Sequence, residues 1–180
     1  MEKNLELTKG HWLLVKGAKT IIPTLLQITA RLAEVGPVRV VDGGFRYNPL
    51  LINYILHFRP KALQRIKVSQ AESCHDLLSF LEDMPTSLEP FVVLDLMSLF
   101  FDPFVHIDER RRKLGLSLQH LDRLAKGSGG LVSVHPPILP SQTESDLMKM
   151  VTEAAKDTFH MEMAARASLP MRNPPPIAGL

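Results

Sequence analysis

One cysteine, Cys74, occurs in 180 residues. A lone thiol closes no internal disulfide and anchors no cysteine-based metal site, so a reducing, cytoplasmic setting is expected. Long apolar runs are missing as well. The start of the chain, MEKNLELTKGHW, lacks the hydrophobic stretch of a secretory leader. No segment reaches the roughly 20 consecutive apolar residues that span a bilayer. Charge of one sign is scarce: 21 Lys and Arg against 19 Asp and Glu leave a net charge of +2, too little to mark a nucleic-acid binder. None of the 7 histidines pairs at a spacing such as HExxH, and no GxSxG nucleophile elbow occurs. There is no internal repeat. Secreted, membrane-spanning and disulfide-scaffold classes are therefore excluded as expectations.

What is present suits one globular domain. At 45% hydrophobic residues, a chain of 180 can build a core without cross-links. Apolar runs of strand length occur at His11–Val15, Val38–Val41, Phe91–Leu94 and Leu131–Val134, with Ile66–Val68 as a shorter one. Three of the first four are nearly continuous, as in strands covered on both faces. Between them, Ile21, Leu25, Ile28, Leu32 and Val35 recur at helical spacing and stop at Gly36-Pro37. Leu114, Leu118, Leu121 and Ala125 recur likewise, and Leu50–Phe58 and His75–Leu81 suit two shorter helices. Ser141–Ala155 reads as a helix capped by Ser141 or Thr143, Thr158–Met163 as a final strand, and the proline-rich 169–180 as a tail after a single domain over 1–168. Strands alternating with helices predict an α/β fold: an open, mostly parallel sheet with helices on both faces. The competing reading is an all-helical bundle.

Ligands of such sheets bind beyond the carboxyl ends of the strands. The first strand end is Val15-Lys16-Gly17-Ala18-Lys19-Thr20-Ile21-Ile22-Pro23. Ala18-Lys19-Thr20 echoes the GK[ST] that ends a phosphate loop, but the loop before it is too short and lacks its first glycine. With a gap, Lys19 and Thr20 occupy the positions of the phosphate lysine and the magnesium hydroxyl. Without one, counting back from Gly36, those positions fall on Ile21 and Ile22. The alternative is an ordinary tight turn with solvated lysines. At the second strand end, Asp42-Gly43-Gly44 either closes a turn, caps the next helix or orients a water or metal ion. At the third, Phe91–Asp95 has the form of an apolar strand ending in a magnesium-binding aspartate. The fourth is His135–Pro140, where proline interrupts regular structure.

The order of these parts resembles the core of RecA-like recombinases, from about Gly10 to Met163. Val40–Pro49 (VVDGGFRYNP) resembles the family's second strand and its D-x-E-G-x-F-x-P turn. Ala62–Ala71 (ALQRIKVSQA) is similar to the next strand, Phe91–Leu99 (FVVLDLMSL) to the magnesium-aspartate strand, Glu109–Leu131 to the following helix and its return, and Ala154–Met163 to the late strand. The resemblance implies a RecA-like fold with degraded catalytic parts. The phosphate loop is shortened, Gly44 stands where the catalytic glutamate aligns, and His135-Pro136-Pro137 replaces the polar sensor. Only Asp95 aligns cleanly. Set against the resemblance, the chain is expected to begin at the first core strand, without the N-terminal DNA-binding or oligomerisation segments of larger relatives.

Three functions follow as expectations. The first is a catalytically inactive domain acting as a binding or assembly partner, with recombination or repair as the process by analogy. Its partner would be another protein, a second copy or DNA, with no membrane and no cofactor. DNA-facing segments of the family correspond to Phe100–Lys113, with the run Arg110-Arg111-Arg112-Lys113, and to His135–Ser145. Three arginines at a helix start oppose the helix dipole, which favours an external anion, although such runs are commonly solvated. Phe100, Phe101 and Phe104 either stack on bases or pack in the core. The second function is an ATP-binding ATPase in which Lys19 and Thr20 meet the phosphates and Asp95 the magnesium. The third is a small-molecule enzyme using Asp42 and Asp95 as acids.

Overall fold

The computed structural model describes residues 7–161. The expected tail at 169–180 and the end of the expected 1–168 domain lie outside the described residues. Six strands form one sheet: β1 (Trp12–Gly17), β2 (Val38–Asp42), β3 (Ile66–Gln70), β4 (Phe91–Leu94), β5 (Gly130–Val134) and β6 (Asp157–Met161). Six helices connect them: α1 (Ile22–Val35), α2 (Pro49–Ile55), α3 (Pro60–Gln64), α4 (Cys74–Asp83), α5 (Ile107–Ala125) and α6 (Gln142–Ala154). Short 3-10 turns sit at Lys19–Ile21 and Ser98–Phe100. Every strand pairing is parallel, in the order β3-β2-β4-β5-β1-β6.

Side-chain alternation divides the core in two. On β4, Phe91 and Val93 face one layer while Val92 and Leu94 face the other. On β2, Val41 joins the first layer and Val38 and Val40 the second. The first layer is completed by Leu77 and Leu81 of α4, Leu114, Leu118 and Leu121 of α5, and Leu147 and Val151 of α6. The second is completed by Leu25, Leu26 and Ala30 of α1, Ile52 of α2 and Ala62 of α3. Strands buried on both faces are apolar at nearly every position, hence the continuous runs in the sequence.

This layering is what crossovers of one hand require. The connections β1 to β2 and β2 to β3 run one way across the sheet and use α1, α2 and α3 on one face. The connections β3 to β4, β4 to β5 and β5 to β6 run the other way and use α4, α5 and α6 on the opposite face. Helices therefore leave adjacent strands in opposite directions at β2/β4 and at β5/β1. Both are switch points at which a crevice opens beyond the strand ends.

Local chemistry fixes the helix starts. Asn48 caps α2 by accepting from Leu51 N–H at 3.0 Å. Ser73 accepts from Asp76 N–H at 3.1 Å. Ser141 and Glu144 form a reciprocal capping box on α6. Helix α5 begins at Ile107, earlier than its leucine period indicates, so Asp108 and Glu109 occupy the first turn, where they suit the dipole. Among the described residues no helix is long and apolar enough to cross a membrane.

Candidate strand-end site

The β2/β4 switch point brings together two of the sequence-derived acids. Asp42 ends β2 and is paired in register with Leu94, the residue before Asp95. Asp42 is fully buried, and its carboxylate is spent on its own turn. Oδ1 accepts from Gly44 N–H at 3.2 Å and Arg46 N–H at 2.9 Å, and Oδ2 accepts from Tyr47 N–H at 2.8 Å. A short polar side chain that gathers three backbone donors is what lets the chain reverse between β2 and α2.

Asp95 is 2% exposed and sits at φ +54°, a left-handed conformation that Asp tolerates better than most residues. Two contacts hold it there. Its N–H donates to Ser133 Oγ of β5 at 2.9 Å, and its Oδ2 accepts from Arg46 Nε at 2.9 Å. Gly43 and Gly44 are required by the close approach of the two segments. A Cβ at Gly43 would lie 2.8 Å from the Asp95 carbonyl oxygen, and one at Gly44 would lie 2.5 Å from Asp95 Oδ2. Ser98 ties the arrangement together by donating its hydroxyl to the Gly43 carbonyl at 2.7 Å.

The β5/β1 switch point holds Lys19 and Thr20. Both are exposed on the 3-10 turn, and β5 lies between β1 and β4, so they stand one strand away from Asp95. The turn is compact. Ile21 is buried, and its side chain lies so close to Gly17 that a Cβ there would meet Ile21 Cδ1 at 2.8 Å and the Met161 carbonyl at 2.6 Å. Ile21 N–H is already bonded to the Ala18 carbonyl at 3.1 Å, and Pro23 supplies no donor at the start of α1. The Gly17 carbonyl is bonded to His135 Nδ1 at 2.9 Å, which ties the end of β1 to the end of β5. A phosphate cradle needs successive free N–H groups around a concavity; here Ile21 N–H is spent inside the turn and Pro23 has none to give. Beside it, an open cleft of about 680 Å³ runs past Lys16, Thr20, Pro136 and His160. Lys16 Nζ donates to Thr152 Oγ1 at 2.5 Å, and burial pushes its ammonium below the ordinary lysine range.

The residues do not fit a magnesium ion. That ion takes six oxygen ligands at near-octahedral geometry, and a guanidinium stands on the Asp95 carboxylate. No three His, Cys, Asp or Glu side chains converge among the described residues.

The basic run is dispersed around α5. Arg110 is 9% exposed and turns inward, donating from Nη1 to the Phe100 carbonyl at 3.3 Å. Lys113 is also buried and pairs with Glu109 at 2.7 Å. Arg111 reaches Asp146 of α6 at 3.4 Å, while Arg112 is exposed with no ion pair among the described residues. Phe100 is fully buried, Phe101 packs against the core, and Phe104 is 95% exposed. Sequence reasoning gave no role to Arg46, Ser133 or the His135–Gly17 bond. Each joins residues at least 38 positions apart, and only the Arg46 position, two residues past Gly44 in the turn facing Asp95, carried a signal.

No protein-family model matches the chain, and no curated protein sequence matches it. Among solved structures, the crystal structure of the RadB recombinase is similar to it at a TM-score of 0.58 and 18% identity, covering 86% of this chain and 75% of that one. At that identity the likeness speaks for architecture, and it agrees with the strand order and the two helical layers: the chain has a RecA-like α/β fold.

Proposed function

We propose that this chain is a RecA-like domain without ATPase activity that serves as a binding or assembly partner, with recombination as the process its structural neighbour suggests. The observation that carries the reading is the β1–α1 turn, where the buried Ile21 side chain packs against Gly17 and proline stands at the start of α1. Phosphoryl transfer rests on positioned charge, and a compact β1–α1 turn, an arginine on Asp95 and glycine at position 44 speak against a site that stabilises its transition state. The binding role is supported by the loops after β4 and β5, which hold Phe104, Ile138 and Leu139 almost fully in solvent. The test is ATP turnover by the wild type against Asp95→Ala. Equal rates are expected, and turnover that falls in the variant would overturn the reading.

A second reading, an ATP-binding domain, is favoured by the open cleft beside Thr20 and Lys16. Under that reading Lys19→Ala abolishes nucleotide binding.

A further inference from the structure

We infer that Arg46 is a permanent internal counter-ion for Asp95 and that it excludes a divalent cation from this strand end, so the fold needs no metal there. The inference rests on the reading of the chain as a domain that does not hydrolyse ATP. A carboxylate as buried as that of Asp95 is costly to leave without a positive partner. Arg46 provides one at 2.9 Å from Oδ2, on a side chain only a quarter exposed.

The arginine is planted, not draped. Its own backbone N–H is fixed by Asp42 Oδ1 at 2.9 Å, in the turn whose other donors, Gly44 and Tyr47, the same carboxylate holds. Gly44 leaves the Asp95 carboxylate accessible from that turn, since a Cβ there would lie 2.5 Å from Oδ2. On its other side Asp95 is anchored to Ser133 and held in a left-handed conformation, so its carboxylate has little freedom to turn elsewhere. Two neighbouring strand ends thus carry two carboxylates with different duties. Asp42 holds the turn together, and Asp95 meets the guanidinium that the turn presents. An ammonium or guanidinium satisfies such a carboxylate with one charge and directed N–H donors, whereas a hydrated divalent ion needs room that the arginine occupies.

The experiment uses the full chain as wild type, Arg46→Met, Asp95→Asn and the double variant. Methionine keeps an unbranched stem without charge, and asparagine tolerates the left-handed backbone. Unfolding midpoints and Mn²⁺ uptake by electron paramagnetic resonance are read for each. The wild-type midpoint should be unchanged by EDTA or by millimolar Mn²⁺. Arg46→Met should lose roughly 5–10 °C, much of it regained in Arg46→Met/Asp95→Asn, where no uncompensated charge remains. Arg46→Met should bind Mn²⁺ about tenfold more tightly than the wild type, and the double variant should not. Additive midpoint losses, or an Arg46→Met variant that takes up no more Mn²⁺ than the wild type, would overturn the inference. Nucleotide binding by a wild type that still shows the Arg46–Asp95 coupling would overturn the functional reading alone.

Discussion

Arg46 reaches from the turn after β2 to the end of β4 and donates from Nε to Asp95 Oδ2 at 2.9 Å, across 49 positions of sequence. Two switch-point strands are thereby clamped at their carboxyl ends. The space for that clamp comes from Gly44, where a Cβ would crowd the Asp95 carboxylate.

Replacing Gly44 by Glu tests this directly. The new Cβ would lie 2.5 Å from Asp95 Oδ2 and 2.9 Å from Asp95 Cβ. Asp95 is anchored on both sides, so the strain falls on the fold, and we expect a loss of about 1–3 kcal/mol in denaturant unfolding. ATP turnover should not appear, because Arg46 still occupies the Asp95 carboxylate.

The basic run of α5 makes a poor phosphate tract once its members are placed. Arg110 is buried against Phe100, so changing it would damage the fold and confuse any binding assay. Arg111→Ala/Arg112→Ala leaves the core alone and removes both exposed cations. We expect no change in the slope of log K against log salt for any DNA binding. A slope smaller in magnitude by close to two would place phosphates on these residues.

Phe104, Ile138 and Leu139 are 95%, 97% and 90% exposed on the loops after β4 and β5, so they contribute little to the core. Changing all three to Ser should leave the unfolding midpoint within about 2 °C of the wild type. In sedimentation velocity the wild-type coefficient should rise with protein concentration, and that of the triple variant should not.

Acid should weaken the amino end of the β2–β4 pairing through Glu89. The hydrogen bond from Arg39 at 2.6 Å, with Lys67 at 3.5 Å, holds its carboxyl below the ordinary glutamate range. A depressed folded-state pKa contributes stability that is fully present above the unfolded value and is lost as pH falls through the folded one. Comparison of the wild type with Glu89→Gln across pH 3 to 7 should therefore give a stability difference, below about 1 kcal/mol for a partly exposed pair, that is present at neutral pH and closes in acid.

Much of the fold was legible because burial on both faces imposes a simple code. Phe91–Leu94 is a strand with the bounds its apolar run indicates, and of the two caps expected for α6, Ser141 and Thr143, it is Ser141 that serves. The start of α5 was legible only through the resemblance, which set Glu109 in a helix, since Asp-Glu-Arg-Arg-Arg-Lys shows no apolar period, and the inward packing of Arg110 and Lys113 had no signal in the sequence. Helix α3 was missed because five residues that begin with a proline carry no periodicity. At the site, the rule that strand ends carry chemistry located Asp42 and Asp95. The partner of Asp95 was hidden because an arginine in a turn looks solvated until the sheet brings β4 beside it.

The central claim, that the strand-end site no longer receives a nucleotide, is tested most directly by calorimetric titration of the full chain with ATP and magnesium, repeated with Asp95→Ala. The compact Gly17–Ile21 turn and the arginine on Asp95 predict no binding heat up to millimolar nucleotide in either protein. Micromolar binding by the wild type that weakens in Asp95→Ala would contradict the account.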